Sequence, residues 1–110
     1  FLTDIEFFSC FSLAEMKQLA NQVQILNFVF GDTIITAEDN SEGMYVIHSG
    51  MVRLFKLENG KETSHGIRKK EQVFAELGAL RTIKHEYSVR ASAKVELFFI
   101  ARKHILNLLV

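Results

Sequence analysis

Proline is absent from all 110 residues, although average usage would place about five in a chain of this length. Cysteine occurs once, at Cys10. A lone thiol excludes an intrachain disulfide framework and a zinc site built from several cysteines. Neither sign of charge is in excess: thirteen Lys and Arg balance thirteen Asp and Glu, for a formal net charge of zero. That balance argues against a bulk electrostatic grip on a nucleic-acid backbone, so no direct nucleic-acid contact is expected. No apolar run approaches the roughly 18–20 residues needed to span a bilayer. The start lacks a basic segment followed by an apolar core, so no secretory signal is expected. The first residue is Phe1 rather than Met, and the sequence reads as a piece of a longer protein. A single cysteine without a signal fits a reducing cytoplasm.

What is present suits one small globular domain over residues 1–110: 48% of the residues are apolar and 24% charged, too apolar and too neutral for disorder. The neutrality hides an asymmetry. Residues 1–55 carry net −5 and residues 56–110 carry net +5. The basic half holds Arg68, Lys69, Lys70, Arg81, Lys84, Arg90, Lys94, Arg102 and Lys103. Two readings of this half stay open, a solvated face or a local positive field for an anion.

Residues 1–22 read as helical. A short turn is predicted at 4–8. A better helix follows from about 12 to 21, where Ser12 and Glu15 have capping-box spacing and Leu13, Met16, Leu19, Ala20 and Val23 recur at three- and four-residue steps. The period then changes. Segments rich in Val, Ile, Phe, Thr and Tyr predict eight strands at about 23–29, 33–35, 44–48, 51–57, 62–67, 72–74, 87–91 and 95–101, and Asn59-Gly60 is a strong hairpin signal. Glu76 to Leu80 reads as one inserted helical turn, and 102–110 as the start of a mostly apolar terminal helix. The fold class is mainly β with flanking helices: an eight-stranded antiparallel β-roll, or jelly roll, over 23–101.

Chemistry concentrates where the strand ending at Phe74 meets the turn at Ala75–Glu76. Backbone amides at a helix start suit an anion such as phosphate, and small residues at Ala75 and Gly78 let a ligand approach the backbone. Glu76, an acid in an apolar segment, must be solvated, paired, or used to accept hydrogen bonds from ligand hydroxyls. The alternative is a plain strand–helix junction. His48, His65, His85 and His104 lack the close His-x-His spacing of a jelly-roll metal site, so no metal is expected. Cys10 has no nearby base and reads as a buried structural thiol rather than a nucleophile. There is no P-loop, dinucleotide fingerprint or nucleophile elbow, so the expectation is a binding domain rather than an enzyme.

Three segments together resemble the cyclic nucleotide-binding domain family. Phe30-Gly-Asp-Thr-Ile-Ile35 is similar to its glycine turn before a short strand. Met44-Tyr-Val-Ile-His-Ser-Gly50-Met-Val-Arg-Leu-Phe55 is similar to its most recognisable hairpin. Phe74-Ala-Glu-Leu-Gly-Ala-Leu80 resembles its phosphate-binding cassette, here spanning 73–89. The resemblance implies a regulatory sensor for cyclic AMP or cyclic GMP that needs no other cofactor. It also implies relay through the terminal helices to an effector outside this sequence, and a possible homodimer through the last helix. The site residues it implies are Phe74, Ala75, Glu76 (ribose 2′-hydroxyl), Leu77, Gly78, Ser88 and, on the base side, His65.

The sequence departs from the family pattern at named places. Ala75 stands where the cassette usually has glycine. Lys84 and His85 stand where it usually has proline and the phosphate-binding arginine, and Glu71-Gln72 replaces the usual Gly-Asp. An arginine is always charged and forks onto phosphate oxygens, whereas a histidine is mostly neutral near pH 7. His85 reads either as a pocket residue or as a surface residue. Arg81, Lys84 and Arg90 are candidates to compensate at the phosphate, with solvated surface bases as the alternative. The second functional reading is a degenerate β-roll that binds no nucleotide and acts as a structural or protein-interaction module.

Overall fold

The computed structural model describes residues 6–109 and, within them, every side chain except those of Glu6, Leu77, Ala79 and Leu109. Of the turn predicted at 4–8, residues 6–8 form a 3-10 turn; residues 4 and 5 lie outside the described residues, as does Val110 of the predicted terminal helix. Cys10, expected to be buried, is instead exposed, because Phe7, Phe8 and Phe11 around it take the core-facing positions.

Helix α1 spans Leu13–Ala20. The capping box closes at its start: the Glu15 amide donates to Ser12 Oγ at 3.1 Å, and the Ser12 amide donates to Glu15 Oε1 at 2.8 Å. Among the described residues eight antiparallel strands follow: β1 Gln24–Phe28, β2 Thr33–Ile35, β3 Gly43–Ser49, β4 Met51–Glu58, β5 Lys61–Lys69, β6 Val73–Phe74, β7 Ser88–Ala91 and β8 Val95–Ala101. A 3-10 turn at Glu76–Ala79 sits between β6 and β7, and helix α2, Arg102–Leu109, closes the order. Asn59 and Gly60, at φ 54° and 79°, make the β4–β5 hairpin turn that their tolerance of positive φ predicts.

The strands form two sheets, ordered β1-β8-β3-β6 and β2-β7-β4-β5. Period-two alternation along β3 and β8 sorts their side chains between two cores. Met44, Val46 and Ile100 face the helices and pack with Phe8, Met16, Leu19 and Ile105. Ile47, Val95 and Leu97 face the other sheet and pack with Ile35, Val52, Leu54, Phe74 and Val89. The helices therefore cover one sheet, and the space between the sheets is lined by apolar residues from both halves of the chain.

Candidate functional site

The inner face of the second sheet and the segment from Phe74 to Tyr87 enclose a cavity of about 330 Å³, within the size range of small-molecule sites. Ile35, Leu54 and Val89 form its apolar wall, with Phe74 and Ile83. Phe74 is buried and stacks on Tyr45, the ring centroids 4.9 Å apart. The polar lining comes from Ser41, Arg68, Glu76, Lys84, His85, Glu86 and Tyr87.

The cassette keeps a glycine-like backbone without the glycine. Ala75 sits at φ 58° and Glu71 at φ 72°, in the left-handed region that L-residues enter at a penalty. Ala75 thereby turns the chain out of β6 into the 3-10 turn. Gly78 is needed for a different reason: a Cβ there would run into the Ser41 side chain. Its amide is also committed, donating to the Ala75 carbonyl at 3.1 Å.

His85 is fixed by its backbone. Its amide donates to the Asp39 carbonyl at 2.8 Å, and its carbonyl accepts from the Glu38 amide at 2.9 Å. A β-bridge between Asn40 and Lys84 extends this clip. Half-buried His85 also lines a second, polar cavity of about 220 Å³ with Asp39, Glu42 and Tyr45. Burial pushes its pKa down, with Asp39 opposing.

The candidate residues separate by position. Phe74, Ala75, Glu76, Gly78, Lys84 and His85 line one cavity; the Leu77 side chain lies outside the described residues. Ser88 and Arg90 do not line it. Alternation along β7 puts buried Val89 and Ala91 on one face and half-buried Ser88 and Arg90 on the other. The Ser88 hydroxyl accepts from the Ala37 amide at 2.8 Å. Arg90 forks onto Glu62 at 2.7 and 3.1 Å and lies 4.4 Å over the Phe55 ring. Arg53 bonds the same carboxylate, and the two guanidiniums hold Glu62 down at about 2. Arg81 is exposed and off the cavity. His65 is displaced by a β-bulge, because the β4–β5 register passes from Gly66 to Ser64 and skips it. Its Nε2 lies 3.2 Å from Glu58, and its ring packs on the rim residue Tyr87 with centroids 5.2 Å apart.

Sequence patterning does not single out Arg68, Tyr87 and Ser41, which line the cavity, or Arg102, which bonds the cassette turn. Arg68 lies in a visible basic run, but only the strand alternation turns it, half-buried, toward the cavity. Tyr87 carries Lys56 Nζ 4.9 Å from its ring centroid. Ser41, buried, donates its amide to the Ile83 carbonyl at 2.8 Å. Arg102, the first residue of α2, donates from one guanidinium nitrogen to the carbonyls of Ser41, Gly78 and Arg81 at 2.9, 3.1 and 3.4 Å. Its backbone amide donates to the Glu42 carbonyl at 2.9 Å. No sequence motif marks this junction, which ties the cassette turn to the terminal helix.

Residues 25–110 match the family model of the cyclic nucleotide-binding domain. The chain is 26% identical over 110 residues to a cAMP-dependent protein kinase regulatory subunit of Blastocladiella emersonii, covering 99% of this chain and 27% of that protein. It thus spans about a quarter of that relative's length. Among solved structures, the regulatory domain of Toxoplasma gondii PKA with cAMP superposes with a TM-score of 0.92 at 19% identity, covering 97% of this chain and 41% of that one. A regulatory subunit of a cAMP-independent protein kinase A from Trypanosoma brucei superposes with a TM-score of 0.88 at 29% identity, covering 99% of this chain and 40% of that one.

Proposed function

Because the chain belongs to the cyclic nucleotide-binding domain family, we propose that the cavity takes a cyclic nucleotide, cyclic AMP or cyclic GMP, and that the domain relays its occupancy to an attached effector. The observation that carries this reading is the cassette backbone, held at φ 58° on an alanine so that the turn still opens onto a cavity. In this reading the cyclic phosphate lies over the amides of residues 75–77, with Lys84, Arg68 and His85 as the cations and donors around it. Ribose hydroxyls meet Glu76, and the base lies toward Tyr87 and Leu54. Each group binds or orients; none performs a chemical step.

Relay is proposed to run through Arg102. A ligand that moves the 3-10 turn acts on the Gly78 carbonyl, and Arg102 couples that carbonyl to the start of α2. This is two-site coupling in the thermodynamic sense, and an effector attached after α2 would feel it. A cytoplasmic setting belongs to the same proposal.

Replacing a forked, permanently charged arginine by His85 removes a charge-assisted contact worth about 1.5–3 kcal/mol, or one to two decades of affinity. That loss favours a second reading, a β-roll that has given up nucleotide binding; the similarity to a regulatory subunit described as cAMP-independent supports it. Titration with cyclic AMP and cyclic GMP, followed by amide chemical shifts, separates the two. The sensor reading expects saturable shifts clustered on residues 75–80 and 85–87. Silence at millimolar ligand favours the module that binds none.

A further inference from the structure

We propose that His85 makes ligand binding proton-dependent, so that the cavity holds a phosphate-bearing ligand more tightly as the pH falls. The inference rests on the reading of the cavity as a phosphate site and adds its regulation.

Three observations carry it. His85 lines two cavities, one with the cassette and one with Asp39, Glu42 and Tyr45. Its backbone is clipped to Glu38 and Asp39 by two hydrogen bonds, so the ring is presented from a fixed position. Burial, the largest influence on the ring, favours the neutral form. An imidazole has its ordinary pKa near 6.5 and is the side chain whose charge changes near physiological pH.

The groups around His85 define the sign. Asp39 faces it from the β2–β3 loop, and Glu42 and Tyr45 line the second cavity beside it. Glu76 comes from the 3-10 turn, Lys84, Glu86 and Tyr87 from its own segment, and Arg68 from β5. Histidine is the side chain whose unperturbed pKa puts its charge change between pH 5 and 8. His85 is thus the cavity residue whose ordinary titration falls in this window. Without ligand the ring is neutral at pH 7. A phosphate beside it favours the imidazolium, so binding takes up a proton and affinity rises as pH falls, levelling off below the depressed pKa of the free ring.

The test is the affinity of the folded chain for cyclic AMP at about pH 5.5, 6.5 and 7.5, with adenosine as a probe that lacks the phosphate. The amide spectrum at each pH confirms that the chain stays folded. The expected result is affinity for cyclic AMP about tenfold tighter at pH 5.5 than at 7.5, with any adenosine binding flat. His85→Arg should bind tightly and His85→Gln weakly, both without pH dependence, while His65→Gln keeps the slope. A pH-independent affinity in the unsubstituted chain overturns the inference and leaves the sensor reading standing, as does a slope that disappears with His65→Gln. A slope shared by adenosine overturns it too. Absence of binding at every pH overturns both.

Discussion

Ala75 holds φ at 58°, where an L-residue is strained by about 1–2 kcal/mol and a glycine is not, although glycine gives up about 0.5–1 kcal/mol of chain entropy. Ala75→Gly should therefore stabilise the fold by about 0.5–1 kcal/mol net. The check is a urea midpoint that rises with an unchanged m-value; a fall would mean that the methyl makes a packing contact outweighing the strain. Glu71, at φ 72°, carries the same kind of strain in the turn before β6. These two substitutions were visible as departures from a family pattern. That the backbone would keep its shape around them was not, because a sequence shows which residue is missing and not which conformation the neighbours enforce. Arg90 shows the converse. It was legible as a base near the cassette, but Glu62, Arg53 and Phe55 hold it on the outer face, and no spacing in the sequence announces that three-way partnership.

Elements were legible wherever a local signal decided them. The Ser12–Glu15 box set the start of α1, and Asn59-Gly60 set the β4–β5 hairpin, with strand ends within about two residues of expectation. Contacts between elements were opaque, and the Arg102 junction is the clearest case. Its guanidinium spans the Ser41 and Gly78 carbonyls, which come from the β2–β3 loop and the cassette turn. Arg102→Gln should lose those bridges at a cost of about 1–2 kcal/mol, less than for fully buried charge-assisted bonds because the site is partly open to solvent. If Arg102 positions α2, the variant should still show ligand-induced shifts in residues 75–80 and lose them in 103–108. Lys103→Gln, one residue on and exposed, should keep both sets. Loss of both sets in Arg102→Gln would make the residue structural only.

At the scale of the molecule, the −5 and +5 halves do not separate in space. Sheet order β1-β8-β3-β6 alternates strands from the two halves, and β2-β7-β4-β5 brings both together again. Opposite charge is spread by the topology, so neither half can build a sheet without the other. Sequence composition showed the asymmetry, but only the strand order shows that it is dispersed. The inter-sheet core depends on the same interleaving: Leu97, fully buried on β8, packs in one cluster with Ile47 from the acidic half and Val89 from the basic half. Leu97→Ala should cost about 2–5 kcal/mol, a large share of the roughly 5–15 kcal/mol that keeps a domain folded. Because the cluster joins both sheets, that loss should appear as one shifted transition, with the far-ultraviolet circular dichroism and the amide signals of residues 75–80 disappearing at the same denaturant concentration. Two separated transitions would mean that the cassette unfolds apart from the sheets, and a ligand at the cassette would then stabilise only that segment. A single transition makes the cavity part of the global fold, so a ligand held there stabilises every strand by the same mass action.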